Sequence, residues 1–481
     1  MRWKIFIVIS CIFLTLKAFS QSPITVTNNE DIYGFIQNDS SRKILVTAVH
    51  ITGNRQTRDY IIEREMLFKQ GDSIAAGNLF RLLDESRKLI YNTTLFTSVE
   101  LKPSLVTNNQ ITINVTVHEK WYIYPTPQFQ VIARNFNEWL KVYNGDLNRV
   151  VYGAKFAHYN FTGRRDQLRI YLLTGYARNI SFSYASPYSN PALTEGFSIG
   201  AAYTENREVS YKTSYSNKQF LYTNESFVRT VIAASGSYQI RKGHYRSHIF
   251  NIGYSNIKVI DTLLSPAFNP GYFNSSSHIQ NIPDISYIHV YTNVDNVSYP
   301  LLGTTRSYTL LKRGLQLTGG INAFIIDAQL SHYFTYNHNW YSSIQLMTDI
   351  KFPFTQAYIN RRSFGFGDYY LRGLEYYVVD GVASALTKIT IKKKVLDFQI
   401  KTPFHFKVVP YIPFKIFIKT FADAGYAYNQ KQFQASLNNR LLYTGGFGID
   451  ILTLYDLNLR IEYSFNQLNE NGLFLRTKGG F

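Results

Sequence analysis

The chain has 481 residues with Tyr 38 and Phe 35, an aromatic fraction of 16%, and only 17% charged residues, below the usual quarter for a soluble protein. A lone cysteine, Cys11, excludes a disulfide framework and a cysteine-built metal centre. No segment after residue 20 holds about 18 uninterrupted apolar residues, which excludes a transmembrane helix but leaves a membrane-spanning β-barrel open. The formal charge of +18 reads as attraction for anionic lipid head groups or an acidic client, with basic residues scattered over loops and lumen as the alternative; a secreted chain meets no nucleic acid.

The basic start Met1-Arg2-Trp3-Lys4, the apolar run Ile5 to Leu16, and Ala18-Phe19-Ser20 before Gln21 predict a signal peptide over residues 1–20. Residues 21–42 are polar and turn-rich, a linker. Lys43 to Ile51 is strand-like, and Thr57 is placed to cap a helix over Arg58 to Phe68. A second helix carries Leu79, Leu82, Leu83, Ser86 and Ile90 at helical spacing. Phe96 to Leu101 forms a strand, and Gln110 to Glu119 alternates strictly between apolar and polar. The order β-α-α-β-β over residues 43–119 describes a small α+β domain.

Residues 120–481 alternate with period two. In Asp456 to Asn466, Leu457, Leu459, Ile461, Tyr463 and Phe465 face one side, and Asn458, Arg460, Glu462 and Ser464 the other. At about 22 residues per strand and loop, this length gives an all-β transmembrane barrel of about 16 antiparallel strands. The aromatic Phe481 closes the terminal strand, whose alternation is diluted by Thr477 and Gly479, so weak pairing is expected there.

The stretches ITGNRQTRDYIIEREMLFKQGD, LIYNTTLFTSVEL and INVTVHEKWYIYPTP resemble a POTRA domain, the periplasmic module of the BamA/TamA superfamily of outer-membrane assembly proteins. The chain is similar to a single-POTRA member of that superfamily. Within GDYYLRGLEYYVVDG, the residues Leu371, Arg372, Gly373 and Leu374 resemble the superfamily's lumen-loop signature, with Leu374 where an aromatic is usual. The resemblance implies that this loop folds into the lumen, where Arg372 meets Asp423 of the wall motif Phe421-Ala422-Asp423-Ala424-Gly425. Parity agrees: Lys415, Lys419 and Asp423 share one strand face, opposite Ile416 and Ile418. Gly373 suits a sharp turn, and Gly365 and Gly367 a close pass along the wall. Read without the resemblance, Arg372 sits in a solvated outer loop.

No catalytic elbow or phosphate loop is present, His244 and His248 lack a carboxylate partner, and Gly445-Gly446-Phe447-Gly448 fits a bent strand, so neither enzyme activity, a metal nor a cofactor is expected. The resemblance implies an outer-membrane location with the POTRA domain in the periplasm. It implies assembly, insertion or translocation, in which the POTRA domain binds client strands and a weak barrel seam, between Trp121 to Val131 and Gly472 to Phe481, templates them. A passive outer-membrane pore and a dedicated secretion translocator for one partner are the alternatives. The implied partners are unfolded outer-membrane or exported proteins, outer-membrane lipids and periplasmic accessory proteins.

Overall fold

The computed structural model describes residues 41–107, 109–132, 144–315, 320–337, 339–402 and 411–478. The expected signal peptide, nearly all of the expected linker, and Phe481 lie outside the described residues.

The first unit comprises β1 (Lys43–Thr52), α1 (Asp59–Glu63), β2 (Ser73–Ala75), α2 (Leu79–Tyr91), β3 (Phe96–Thr107) and β4 (Gln110–Glu119). The sheet order is β2-β1-β4-β3, with β1 and β4 parallel. The expected alternation of β4 is what builds this core: Ile111, Ile113, Val115 and Val117 are fully buried, beside Ile44 and Val46 of β1, under Leu79, Leu83 and Ile90 of α2. Each such side chain contributes about 1.5–3 kcal/mol on burial.

Two local expectations differ. The order gains one strand, because Ser73–Ala75 pairs antiparallel with the start of β1. The first helix stops at Glu63, so that Glu65, Met66 and Phe68 leave the helix and turn inward. Nor does Thr57 cap it: Arg58 is the N-cap, without a side-chain cap bond. The Thr57 hydroxyl instead contacts the Tyr122 hydroxyl at 3.1 Å and accepts from Asn160 Nδ2 at 2.9 Å, fastening this domain to the next.

The second unit runs through β5 (Ile123–Val131), β6 (Val150–His158), β7 (Gln167–Gly175), β8 (Ala177–Ser186), β9 (Glu195–Asn206), the hairpin β10 (Glu208–Thr213) and β11 (Gln219–Thr223), β12 (Arg229–Lys242) and β13 (Arg246–Val259). It continues with β14 (Ile279–Val294), β15 (Gly303–Arg313), β16 (Ala323–Asn337), β17 (Trp340–Phe352) and the short pair β18 (Arg362–Phe364) and β19 (Val379–Asp380). Last come β20 (Ala383–Lys401), β21 (Tyr411–Tyr428), β22 (Leu441–Leu452), β23 (Asn458–Asn466) and β24 (Asn471–Lys478). Setting aside the two small hairpins, these form one antiparallel sheet of 16 strands in sequence order, from β5 to β24. Among the described residues, no strand ladder joins β5 to β24.

Alternation divides the sheet into two faces. In β23, Asn458, Glu462 and Ser464 are buried while Phe465 is exposed, as is Leu457 just before the strand; in β21, Phe417, Lys419, Phe421, Asp423 and Ala427 are buried while Ile418 and Tyr426 are exposed. The outer face is therefore an apolar surface, with Ile232, Ile252, Ile285 and Leu473 each more than half exposed. The inner face carries the charges.

The first unit sits across one end of the sheet. Arg58 N donates to Gly163 O, Asn92 Nδ2 donates to Val294 O at 2.8 Å, and Lys120 and Tyr91 both reach Asp456, at 3.2 and 3.0 Å. At the other end Asn217, in the turn of the β10–β11 hairpin, is completely buried. Its Oδ1 accepts from Leu437 N and Ser436 Oγ at 2.9 Å, and its Nδ2 donates to Val378 O at 3.0 Å.

Candidate functional site

The segment joining β17 to β20, residues 353–382, turns back into the interior rather than extending from the sheet. The β18–β19 ladder closes its base, and Tyr370 to Leu374 form its tip. Gly373 at φ +98 makes the turn behind the arginine, where an added Cβ would stand 2.9 Å from Ser464 Cβ. The close pass along the wall is not made by Gly365 and Gly367. Gly365 admits the loop's own Tyr377 carbonyl, and a Cβ at Gly367 would meet nothing within 4 Å. The wall supplies the space instead: Gly425 faces Leu371 and Phe364, which would lie 3.2 Å from any Cβ there. Leu371 and Leu374 are buried together with Phe364, Val379, Leu386 and Leu442.

Arg372 is 7% exposed and Asp423 is 2% exposed. The guanidinium donates Nε–H to Asp423 Oδ2 at 2.9 Å and an Nη2–H to Oδ1, a bidentate pair, while the Arg372 backbone N–H donates to Oδ2 at 2.9 Å. Nη1 donates to Thr390 Oγ1 at 3.0 Å and Nη2 to Ile389 O at 3.2 Å. The Phe421 ring lies 4.0 Å from the guanidinium carbon, a cation–π contact. This answers how a charge is held in an apolar run, since a planar fork can grip a carboxylate, stack on a ring and still reach β20.

A second set of ties binds the same loop to the terminal hairpin. Arg476 of β24 pairs with Glu375 at 2.6 Å and lies 3.8 Å from the Tyr370 ring. Asn466 Nδ2 donates to Gly373 O at 2.8 Å, and the Tyr377 hydroxyl donates to Glu470 at 2.6 Å. Tyr370, and not residue 374, thus provides the aromatic stacking.

Beside the loop lies a cavity of about 510 Å³, lined on one side by Gln329, Gln345 and Ser331 and on the other by Lys388, Lys392 and Lys419. Two of these lysines are paired with carboxylates: Lys419 sits 2.5 Å from both Asp450 and Glu462, and Lys392 lies 3.6 Å from Asp450.

The junction between the two units was not foreseen from sequence. Glu65, 1% exposed, accepts from Arg241 Nη2 at 2.7 Å and from the Tyr188 hydroxyl at 2.7 Å. Burial pushes its carboxyl up, but the Arg241 hydrogen bond and charge outweigh this and hold it below the ordinary carboxylate range. His244, in the β12–β13 turn, contacts Arg64 O at 3.2 Å, and burial lowers its imidazole below the usual value. His248 instead sits 2.8 Å from the Tyr287 hydroxyl. The only local signal for Glu65 was an acid lodged in the run Glu65-Met66-Leu67-Phe68.

Comparison with known proteins agrees with this architecture. The POTRA family model, described as surface antigen variable number repeat, matches residues 44–120. BamA from Haemophilus ducreyi lacking POTRA domains 1–3 is 15% identical at a TM-score of 0.50, over 92% of this chain and 85% of that one. CdiB from Escherichia coli is 9% identical at a TM-score of 0.52, over 90% of this chain and 76% of that one. No curated protein matches by sequence. The chain is thus a POTRA domain joined to a sheet with the β-barrel fold of BamA and CdiB.

Proposed function

We propose that this protein is an outer-membrane assembly or translocation factor, with its POTRA domain on the periplasmic side and its apolar outer face in lipid. The POTRA domain receives extended segments of unfolded outer-membrane or exported proteins at its open edge strand β3, and the unpaired ends of the barrel sheet template their entry. One observation carries the reading: among the described residues no ladder joins the first and last of the 16 strands, while a clamped loop lies in the interior. An unpaired edge with an occupied interior suits strand exchange at the wall better than flow through the centre. No nucleotide enters the scheme, because strand addition draws on main-chain hydrogen bonds and apolar burial.

The test is depletion in living cells followed by quantification of the outer-membrane and surface-exported proteins. Loss of a defined subset supports the proposal; normal level and location of every one overturns it. Photocrosslinking from β3 would then identify the clients, and a single captured species would mark a dedicated translocator.

A further inference from the structure

We infer that the receptive edge of the seam belongs to the last strand, β24, and that the first strand, β5, is blunted against strand addition. This rests on the templating role above and assigns that role to one side. Tyr159 N donates to Tyr122 O, and Ile132 N donates to Arg149 O, so the even-numbered residues of β5 and its flanks bond to β6. The odd-numbered residues, Ile123, Pro125, Pro127, Phe129 and Val131, therefore present their main chain to the free edge. Two consecutive positions of that edge are proline and have no N–H to offer. The Ile123 carbonyl is already taken by Trp121 Nε1. The middle of β5 thus cannot complete a ladder with an incoming strand.

The opposite edge is intact. Asn466 N donates to Glu470 O, which fixes the even-numbered residues of β24 as the partners of β23. Asn471, Leu473, Leu475 and Thr477 turn their N–H and C=O groups outward, and none is proline. Leu473 and Leu475 are 67% and 68% exposed on the apolar face, whereas Arg476 points inward to Glu375. The matching occupant is an amphipathic extended strand of a client barrel protein, apolar opposite the leucines and polar opposite Arg476. A template must also stay put while it is read, and β24 is braced from within through Glu375, Tyr370 and the neighbouring Asn466.

The experiment uses the full chain in lipid nanodiscs. Its probe is a synthetic strand of alternating leucine and threonine ending in phenylalanine and bearing a benzophenone. Adducts are mapped by mass spectrometry and are expected on residues 471–478. Leu475→Pro deletes one outward donor without touching the β23 ladder, and it should lower adduct yield roughly 3- to 10-fold, the scale of one net hydrogen bond. Should that variant fail to fold, the Pro125→Ala, Pro127→Ala double variant gives an independent reading, because restored donors should bring new adducts onto β5. Equal or stronger labelling of β5 in the parent protein overturns the edge assignment and leaves templating standing. Labelling of neither edge overturns both.

Discussion

Replacing Arg372 by alanine leaves Asp423 buried at 2% exposure with the guanidinium gone from both oxygens and only the main-chain N–H of residue 372 still donating to Oδ2. Breaking a buried pair from one side costs about 3–5 kcal/mol. The lower end applies here, because Lys388 stands across the ladder from Asp423 and leaves it one cationic neighbour. Replacing Asp423 by alanine should cost less, about 2–3 kcal/mol, since the guanidinium keeps Thr390, the Ile389 carbonyl and the Phe421 ring. Removing both leaves no orphaned charge, so the double variant should fall well short of the sum, with a coupling of about 2 kcal/mol or more. Urea unfolding in detergent micelles, followed by the mobility shift of the folded form on unheated gels, measures all three. Strict additivity to within about 0.5 kcal/mol would refute the buried clamp.

Gly373→Ala should destabilise by about 1–3 kcal/mol, whereas Gly367→Ala, equally left-handed but facing open space, should cost about 1 kcal/mol, as read by the same unfolding curves. In planar bilayers the parent should pass little current and Arg372→Ala more; large, stable parental conductance would favour a passive pore. Docking of the POTRA domain should be firm at neutral pH and weaken with acid. His244 is depressed, so its share begins to fall below about pH 6.5, and Glu65 is also depressed, so its share holds above about pH 4.3 and is lost as pH drops through the folded value. Glu65→Gln should loosen docking at all pH values and flatten the lower step, measured by spin-label distances between the two units.

Period-two patterning carried most of the barrel. A strand with one wet and one dry face announces which residues turn inward, which is why Asn458, Glu462, Lys419 and Asp423 were legible on the buried face. Strand number followed from length, and the core of β4 from its alternation. The remaining pairs were hidden for a physical reason. Glu375 and Arg476 lie 101 residues apart, and Glu65 and Arg241 lie 176 apart, so each contributes one ordinary charge to its own stretch and no local mark of its mate. The short α1 was hidden likewise, because helical spacing persists through Met66 and only the distant rim explains why the backbone departs after Glu63.

Asn217 imposes a mechanical rule on the far end of the molecule. A single amide knots three separate connections, its own hairpin, the Val378 limb of the inner loop and the Ser436–Leu437 part of the β21–β22 connection. None of the three can lift alone without stranding the other two around a desolvated side chain. The three connections are therefore coupled at this point through one buried amide.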